Sequence, residues 1–109
     1  MPGCGSASEI SQAEELGCET VKIFPGDKVG GPGFVKAVRG PCPWTSIMPT
    51  GGVENGEQSL RAWFDAGVAC VGMGSNLITQ DLLRSGDYKG ITDSVRQTLN
   101  VIRAVRGGR

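Results

Sequence analysis

The chain has 109 residues and a mass of 11.4 kDa, the size of one small domain. Its 11 basic and 11 acidic residues give a formal net charge of zero, which argues against nucleic acid and membrane surfaces as partners. The absence of histidine excludes Ser-His-Asp triads, His-ligated zinc and histidine general bases.

The first predicted element is a helix over residues 6–16. Ser6 followed by Glu9 fits a capping box, in which a serine hydroxyl and a glutamate carboxylate accept hydrogen bonds from backbone amides at a helix start. Gly17 is suited to ending the helix. Its predicted buried face is an apolar stripe at helical spacing: Ile10, Ala13 and Leu16.

Three short apolar segments bounded by glycine or proline are predicted as parallel strands: residues 20–24, 45–48 and 68–73. We expect the first to be buried on both faces. The segment centres Lys22, Ile47 and Val71 are 25 and 24 residues apart, which is the length of one βα unit.

Helices are predicted after these strands. A short helix over residues 34–39 follows a glycine-rich loop over residues 26–33. Asn55, with Gln58 three residues on, is predicted to cap a helix that ends at Gly67. The residues expected to pack in its core, with Trp44 from the preceding link, are Leu60, Trp63 and Phe64.

The C-terminal region predicts two further helices. A short one takes in Leu77, Ile78, Leu82 and Leu83, and a long one starts at Asp87. We expect residues 106–109 to fray. The apolar stripe of the long helix consists of Ile91, Val95, Leu99 and Ile102.

The alternation of strands and helices indicates an α/β fold with a parallel sheet and right-handed crossovers. A complete (β/α)8 barrel needs at least ~200 residues. We therefore expect residues 1–109 to form one partial domain, the C-terminal half of a (β/α)8 TIM barrel. Because its sheet would expose a broad apolar face, we also expect an oligomer in which two halves cover each other, or an aggregation-prone chain.

The four cysteines are far apart in the sequence and include no Cys-x-x-Cys pair, so a structural zinc site is not expected. We expect reduced, packed thiols in a cytoplasmic protein. The N-terminal residues lack the features of a signal peptide, and no apolar run approaches 18 residues, so no membrane association is expected. The cysteines are Cys4, Cys18, Cys42 and Cys70.

Lys22 is the first candidate for chemistry. It lies between Val21 and Ile23 in a predicted buried strand, with Phe24 two residues on along the same face. Burial disfavours an ammonium group, and a neutral amine in an apolar pocket is what Schiff-base formation with a carbonyl needs. The alternative is an edge-strand lysine whose amine reaches solvent.

Two glycine-rich loops are candidates for phosphate binding: residues 50–52 after the second predicted strand and residues 72–75 after the third. Each contains a hydroxyl residue and is expected to lead into a helix N-terminus, where free amides and the helix dipole suit a phosphate. The alternative is that the glycines only permit tight turns. The loop over residues 30–33 is a weaker candidate, as a third backbone contact or a flexible lid.

Three ordered segments resemble the 2-keto-3-deoxy-6-phosphogluconate aldolases, also called 4-hydroxy-2-oxoglutarate aldolases. They are Val-Lys-Ile-Phe-Pro over residues 21–25, Met-Pro-Thr-Gly-Gly over 48–52 and Val-Gly-Met-Gly-Ser over 71–75. Residues 1–4 resemble the end of that family's fifth barrel strand, and residues 87–88 resemble the start of its final helix. The resemblance therefore covers essentially the whole chain.

The resemblance implies a class I aldolase that reversibly cleaves a 2-keto-3-deoxy-6-phospho sugar acid, or 4-hydroxy-2-oxoglutarate, to pyruvate and an aldehyde. It makes Lys22 the catalytic Schiff-base lysine and places Phe24 near the pyruvyl group. It also implies a homotrimer that needs no metal or organic cofactor. The phosphate-binding positions it implies are Thr50, Gly51, Gly52 and Ser75, with Gly74 as neighbouring backbone.

The family's general acid/base glutamate, and the groups that hold the pyruvyl carboxylate, lie in the first half of the barrel. Neither Glu54 nor Asp27 is an evident substitute. Since losing a positioned acid/base costs ~10²–10⁴-fold, we expect the isolated chain to be nearly inactive. Two other functions stay open: a non-catalytic phosphate-binding half-barrel, and another phosphate-binding βα barrel enzyme in which Lys22 is structural.

Overall fold

A computed structural model describes residues 1–107, which contain three strands and five helices. The strands form one parallel sheet in the order β1-β2-β3, so the alternation of parallel strands with helices is confirmed. In chain order the elements are β1 (Gly3–Cys4), α1 (Ala7–Glu15), β2 (Val21–Ile23), α2 (Gly31–Arg39), β3 (Ile47–Pro49), α3 (Glu57–Ala66), α4 (Gln80–Ser85) and α5 (Tyr88–Gly107).

The prediction of a regular strand over residues 68–73 is wrong. This segment continues the sheet beyond β3 through one isolated parallel bridge, between Thr50 and Gly72. Two backbone hydrogen bonds hold it there, from the Ala69 amide to the Ile47 carbonyl at 2.9 Å and from the Gly72 amide to the Pro49 carbonyl at 2.8 Å.

The capping box of α1 is confirmed. The Ser6 hydroxyl accepts a hydrogen bond from the Glu9 amide at 3.2 Å, and the Glu9 carboxylate accepts one from the Gly5 amide at 2.9 Å. Gly17 has a φ of +93° and ends the helix as predicted. The prediction for Leu16 is wrong, because this side chain follows the last turn and is 83% exposed.

Three helix starts differ from their predictions. The helix predicted from residue 34 begins at Gly31, inside the glycine-rich loop, and the helix predicted from residue 77 begins after Thr79, whose hydroxyl caps it. Asn55 does not cap α3, because the chain continues extended to Gly56 and the helix starts after it. The start of α5 is close to its prediction, since the Asp87 carboxylate accepts a hydrogen bond from the Gly90 amide at 2.9 Å.

The core lies between the sheet and the helices that pack on one of its faces. The side chains of Val21, Ile23 and Ile47 point to this core and are at most 1% exposed. The opposite face of β2 carries Lys22, which is only half-buried, so the prediction that this strand is buried on both faces is wrong. The reason is that the helices cover one face only. The largest core residues from α3 are Leu60, Trp63 and Phe64, as predicted.

Two apolar residues predicted to be buried are exposed. Trp44 lies in the link before β3 with 70% of its surface exposed, and Leu99 lies on the outer side of α5 with 48% exposed. Residues 106 and 107 belong to α5 rather than fraying, and residues 108–109 lie outside the described residues.

The cysteines are free thiols. Burial is the main cause that raises the pKa of the Cys4 thiol, and the nearby Glu9 and Cys18 raise it further. The expectation of packed thiols is wrong for Cys70, which is exposed on the irregular segment beyond β3. Within residues 1–107, no helix is both long and apolar enough to cross a membrane.

Replacing Ser6 by alanine should lower the free energy of unfolding by about 1 kcal/mol, because the Glu9 amide loses its capping oxygen. Urea denaturation followed by circular dichroism measures the change. The exposed Ser8, two residues further on, is the matched control, and Ser8→Ala should shift stability by less than about 0.5 kcal/mol. Equal effects for the two variants would contradict the capping role of Ser6.

Candidate active site at the carboxyl ends of the strands

A shallow cavity of about 200 Å³ lies where the loops after β2, after β3 and after the segment 68–73 meet. It brings together the six residues that the resemblance placed at the substrate: Phe24, Thr50, Gly51, Gly52, Gly74 and Ser75. Four residues absent from that set also line it: Val53, Gly72, Met73 and Asn76. Two larger grooves lie away from these loops, one between β1 and α1 and the other on the outer face of α5.

Lys22 lies beside this cavity on the central strand of the sheet. It is aligned with Gly3 on one side and with Met48 on the other. The Lys22 Nζ atom lies 5.4 Å from the centroid of the Phe24 ring, and Phe24 lines the cavity. The alternative is wrong in placing Lys22 on an edge strand, because β2 has a hydrogen-bonded neighbour on both sides, but a side chain that reaches solvent agrees with its half-buried position.

Backbone hydrogen bonds fix the loop after β2 against the loop after β3. The Gly26 amide donates to the Thr50 carbonyl at 2.8 Å, and the Asp27 amide donates to the Gly51 carbonyl at 3.2 Å. The Thr50 amide in turn donates to the Ile23 carbonyl at 2.9 Å. Phe24 and the glycine turn are thus held by the ends of two adjacent strands, which places the aromatic ring next to the candidate phosphate loop.

Glycine is required at two positions of the cavity for different reasons. Gly52 has a φ of +73°, and a Cβ atom there would overlap the Asp27 side chain. A Cβ atom at Gly72 would overlap the Thr50 Oγ1 atom. These two close approaches account for glycine at both positions.

The Thr50 hydroxyl oxygen is buried and has no hydrogen-bond partner within the described part of the chain. An unsatisfied buried hydroxyl costs about 1–3 kcal/mol, so such groups are uncommon in the absence of a ligand. The main-chain amides of Gly52, Gly74 and Ser75 donate no hydrogen bond to any group of residues 1–107. The residues that carry these free amides and the unsatisfied hydroxyl all line the same cavity.

Both loops lead on to a helix, but the helix N-termini lie several residues beyond the glycines and do not line the cavity. α3 begins at Glu57, several residues after Gly52, and α4 begins at Gln80. A single turn follows Gly74, whose carbonyl accepts hydrogen bonds from the Leu77 and Ile78 amides, both at 2.9 Å. An anion in the cavity would therefore depend on local amides and hydroxyl groups more than on a helix dipole.

Two asparagines that no sequence pattern placed at the cavity connect the loops. The Asn76 side chain donates to the Val53 carbonyl at 3.1 Å, and the Asn55 side chain donates to the Asn76 carbonyl at 3.3 Å. The loops are 21 residues apart at this point, and asparagine is common in any turn, so no local pattern could have paired them. These bonds hold the loops that contain Gly52 and Ser75 together.

The loop over residues 30–33 contributes nothing to the cavity. Gly31, Pro32 and Gly33 form the first turn of α2, so the hypotheses of a backbone contact or a flexible lid are wrong. Asp27 and Glu54 do not line the cavity either. Within residues 1–107, no cluster of three or more potential metal ligands is present.

A sequence profile of the KDPG and KHG aldolases matches residues 1–94. The chain belongs to this family. The resemblance of the three ordered segments is therefore confirmed as a family relationship, and the curated relatives are named as aldolases, which are lyases.

Two bacterial relatives illustrate the extent of the match. The 2-dehydro-3-deoxy-6-phosphogalactonate aldolase of Escherichia coli (strain K12) is 34% identical over 106 residues, which cover 96% of this chain and 47% of that protein. The 2-dehydro-3-deoxy-phosphogluconate aldolase of Dickeya dadantii (strain 3937) is 35% identical over 103 residues, covering 91% of this chain and 46% of that protein. The chain thus spans about half the length of the curated relatives it matches.

The fold agrees with solved structures of the family. A KDPG aldolase from Legionella pneumophila superposes with a TM-score of 0.76 at 29% identity, covering 86% of this chain and 45% of that one. That structure is described as holding pyruvate as a covalent carbinolamine intermediate. The expected fold class, the C-terminal half of a TIM-type (β/α) barrel, is confirmed.

Replacing Gly52 by alanine should lower the free energy of unfolding by about 1–3 kcal/mol, because the new Cβ atom requires a left-handed backbone and overlaps Asp27. Gly33→Ala is the matched control. A Cβ atom at Gly33 meets no other atom within 4 Å in the first turn of α2, so this variant should keep or slightly raise stability. Chemical denaturation compares the two, and an unchanged Gly52→Ala variant would contradict the described turn.

Proposed function

We propose that this chain carries the Schiff-base lysine and the phosphate-binding loops of a class I aldolase. The substrate class is a phosphorylated 2-keto-3-deoxy sugar acid, or 4-hydroxy-2-oxoglutarate, cleaved to pyruvate and an aldehyde. The observation that carries the proposal is the position of the Lys22 amine 5.4 Å from the Phe24 ring, beside a cavity with an unsatisfied Thr50 hydroxyl. The catalytic residue is Lys22.

The proposed reaction begins when the Lys22 amine adds to the keto carbon of the substrate to form a carbinolamine, which loses water to give a protonated imine. Removal of the proton from the C4 hydroxyl breaks the C3–C4 bond, whose electron pair moves toward the imine nitrogen. This releases the aldehyde and leaves an enamine. Protonation at C3 and addition of water then release pyruvate and the free amine. The carbinolamine named for the Legionella relative belongs to this sequence of steps.

The proposed phosphate site combines the Thr50 hydroxyl with the free main-chain amides of Gly52, Gly74 and Ser75. The Thr50 hydroxyl is fully buried, so this proposal requires a rotation about the Thr50 Cα–Cβ bond that brings the hydroxyl to the cavity. Amide and hydroxyl donors suit phosphate oxygens, and hydrogen bonds to a charged group contribute about 1.5–3 kcal/mol each. The substrate would then extend from Lys22 past Phe24 to these donors.

Proton transfer is expected to be the slow step of the proposed reaction in this chain. The residues that line the cavity include no carboxylate and no other group suited to acid/base work at neutral pH. Without a positioned acid/base the cleavage step is slower by ~10²–10⁴-fold. We therefore propose that the chain forms the imine but turns over slowly.

The alternative function is a phosphate-binding half-barrel without turnover, which the unsatisfied Thr50 hydroxyl favours independently of Lys22. We also propose a cytoplasmic homo-oligomer without metal or organic cofactor. The homotrimer stays a prediction from the resemblance.

Incubation with pyruvate and sodium borohydride should add one reduced pyruvyl group to Lys22, because borohydride converts an imine into a stable secondary amine. Peptide mass spectrometry locates the adduct. Lys22→Met should abolish the adduct, whereas Lys28→Met, which removes an exposed lysine of the neighbouring loop, should leave it unchanged. An adduct spread over several lysines, or none at Lys22, would refute the Schiff-base role.

Replacing Thr50 by valine should raise the free energy of unfolding by about 1 kcal/mol, since a buried unsatisfied hydroxyl is replaced by a methyl group. The same change should weaken binding of inorganic phosphate roughly tenfold, because one hydrogen bond to the anion is lost. Urea denaturation and calorimetry measure the two effects, and Thr50→Ser keeps the hydroxyl as the control. If Thr50→Val binds phosphate as well as the unaltered chain, the proposed phosphate site is wrong.

A further inference from the structure

Two donors of the proposed phosphate site lie on different loops. Gly52 follows β3 and Ser75 follows the segment 68–73, and both residues line the cavity. An anion that accepts hydrogen bonds from both amides needs them at a fixed separation, because N–H···O hydrogen bonds form at donor–acceptor distances of about 2.7–3.2 Å. The contacts that set this separation therefore determine how well the cavity can bind an anion.

Two asparagine side chains join the loops directly beside these donors. The Asn76 carboxamide donates a hydrogen bond to the Val53 carbonyl at 3.1 Å. Each end of this bond lies one residue beyond a donor residue, Ser75 on one loop and Gly52 on the other. The Asn55 carboxamide donates a second bond in the opposite direction, to the Asn76 carbonyl at 3.3 Å. We call the Asn55 and Asn76 side chains the asparagine bridge.

Each of the two loops is also anchored to the rest of the fold. On the first loop, the Val53 side chain is buried in the core, and the Glu54 amide donates to the Ser59 hydroxyl of α3 at 3.2 Å. On the second loop, the Leu77 carbonyl accepts a hydrogen bond from the Ser94 hydroxyl of α5 at 2.8 Å. The asparagine bridge therefore joins two anchored loops, and its hydrogen bonds set the position of one loop relative to the other.

The chemistry of the cavity makes this relative position important. The residues that line the cavity include no basic side chain. A cation attracts a phosphate over several ångströms, whereas a neutral amide attracts it strongly only in hydrogen-bond geometry. The affinity of the cavity for an anion therefore depends on how accurately its amide donors are placed.

The two asparagines differ in their relation to the cavity. Asn76 lines the cavity, whereas Asn55 does not. A change at Asn55 therefore reaches a bound anion through the loops that it joins, and a change at Asn76 can act in the same way or by direct contact. Replacing each residue separately distinguishes positioning from contact.

We propose that Asn55 and Asn76 are positioning residues of the phosphate site. Their hydrogen bonds hold the amides of the two loops at the separation that a phosphate requires before the anion arrives. A site that is ordered in advance binds more tightly than one whose loops become ordered on binding, because less conformational entropy is lost. This inference rests on the proposed phosphate site and is independent of the chemistry at Lys22.

Titration of ¹⁵N-labelled protein with inorganic phosphate, followed by nuclear magnetic resonance of the amide signals, tests the inference. In the unaltered chain, the Gly52 and Ser75 signals should shift together with one dissociation constant. Asn55→Ala and Asn76→Ala should each raise this constant about threefold or more, since one hydrogen bond contributes a factor of about 2 to 13. The constant refers to the folded protein, so a loss of stability alone does not change it.

Asn100→Ala is the matched control, because Asn100 is an exposed asparagine of α5 that lies away from the cavity. This variant should bind phosphate like the unaltered chain. Circular dichroism checks that each variant folds. If Asn76→Ala does not fold, Asn55→Ala decides the outcome, because it replaces an exposed side chain outside the cavity.

A folded variant at either asparagine of the bridge that binds phosphate as tightly as the unaltered chain would overturn the inference. A loss confined to Asn76→Ala would assign Asn76 a direct contact with the anion instead. An equal loss in Asn100→Ala would also overturn the inference. These results leave the proposed phosphate site in place, since the unaltered chain binds phosphate in each of them. If phosphate shifts neither the Gly52 nor the Ser75 signal of the unaltered chain, the phosphate site and the inference are both wrong.

Discussion

The structure depends on an asymmetry of its sheet: helices cover one face and leave the other open. Val21, Ile23 and Ile47 fill the covered face and supply the apolar burial that holds the strands in place. Because side chains alternate along a strand, the residue between two buried ones must point to the open face, and on the central strand that residue is Lys22. The same packing that stabilises the fold therefore sets the position of the candidate catalytic amine.

Hydrogen bonds between the loops at the strand ends form the cavity. The backbone of the loop after β2 is hydrogen-bonded to the loop after β3, and Asn55 and Asn76 connect the loop after β3 to the next one. The close approach of these loops requires glycine at residues 52 and 72. It places residues with free amides, and Thr50 with its unsatisfied hydroxyl, around one cavity.

The sequence could predict what local patterns determine. The Ser6–Glu9 capping box, the Gly17 and Gly67 helix ends and the burial of Phe64 follow from spacing of a few residues, and each was confirmed. The ordered motifs around Lys22, Thr50 and Ser75 identified the family and the cavity, since such motifs reflect a shared strand-end geometry.

The features that the sequence could not predict depend on contacts between residues far apart in the chain. Trp44, Leu16 and Leu99 are apolar at positions typical of a core, yet they are exposed because no element of residues 1–107 packs against them. The segment 68–73 has strand composition, yet it pairs with the residues at the end of β3 through one isolated bridge and does not form a regular strand. The sequence predicts Asn55 as a helix cap, whereas its side chain donates a hydrogen bond to a loop 21 residues away.

Nuclear magnetic resonance with pyruvate labelled with ¹³C at its keto carbon and with ¹⁵N-lysine-labelled protein tests the central claim most directly. The account predicts a bond correlation between the keto carbon and the Lys22 side-chain nitrogen, which disappears in Lys22→Met. A keto carbon that keeps the signal of free pyruvate, in a folded protein that still binds phosphate, would contradict it and leave a half-barrel that binds anions without forming an imine.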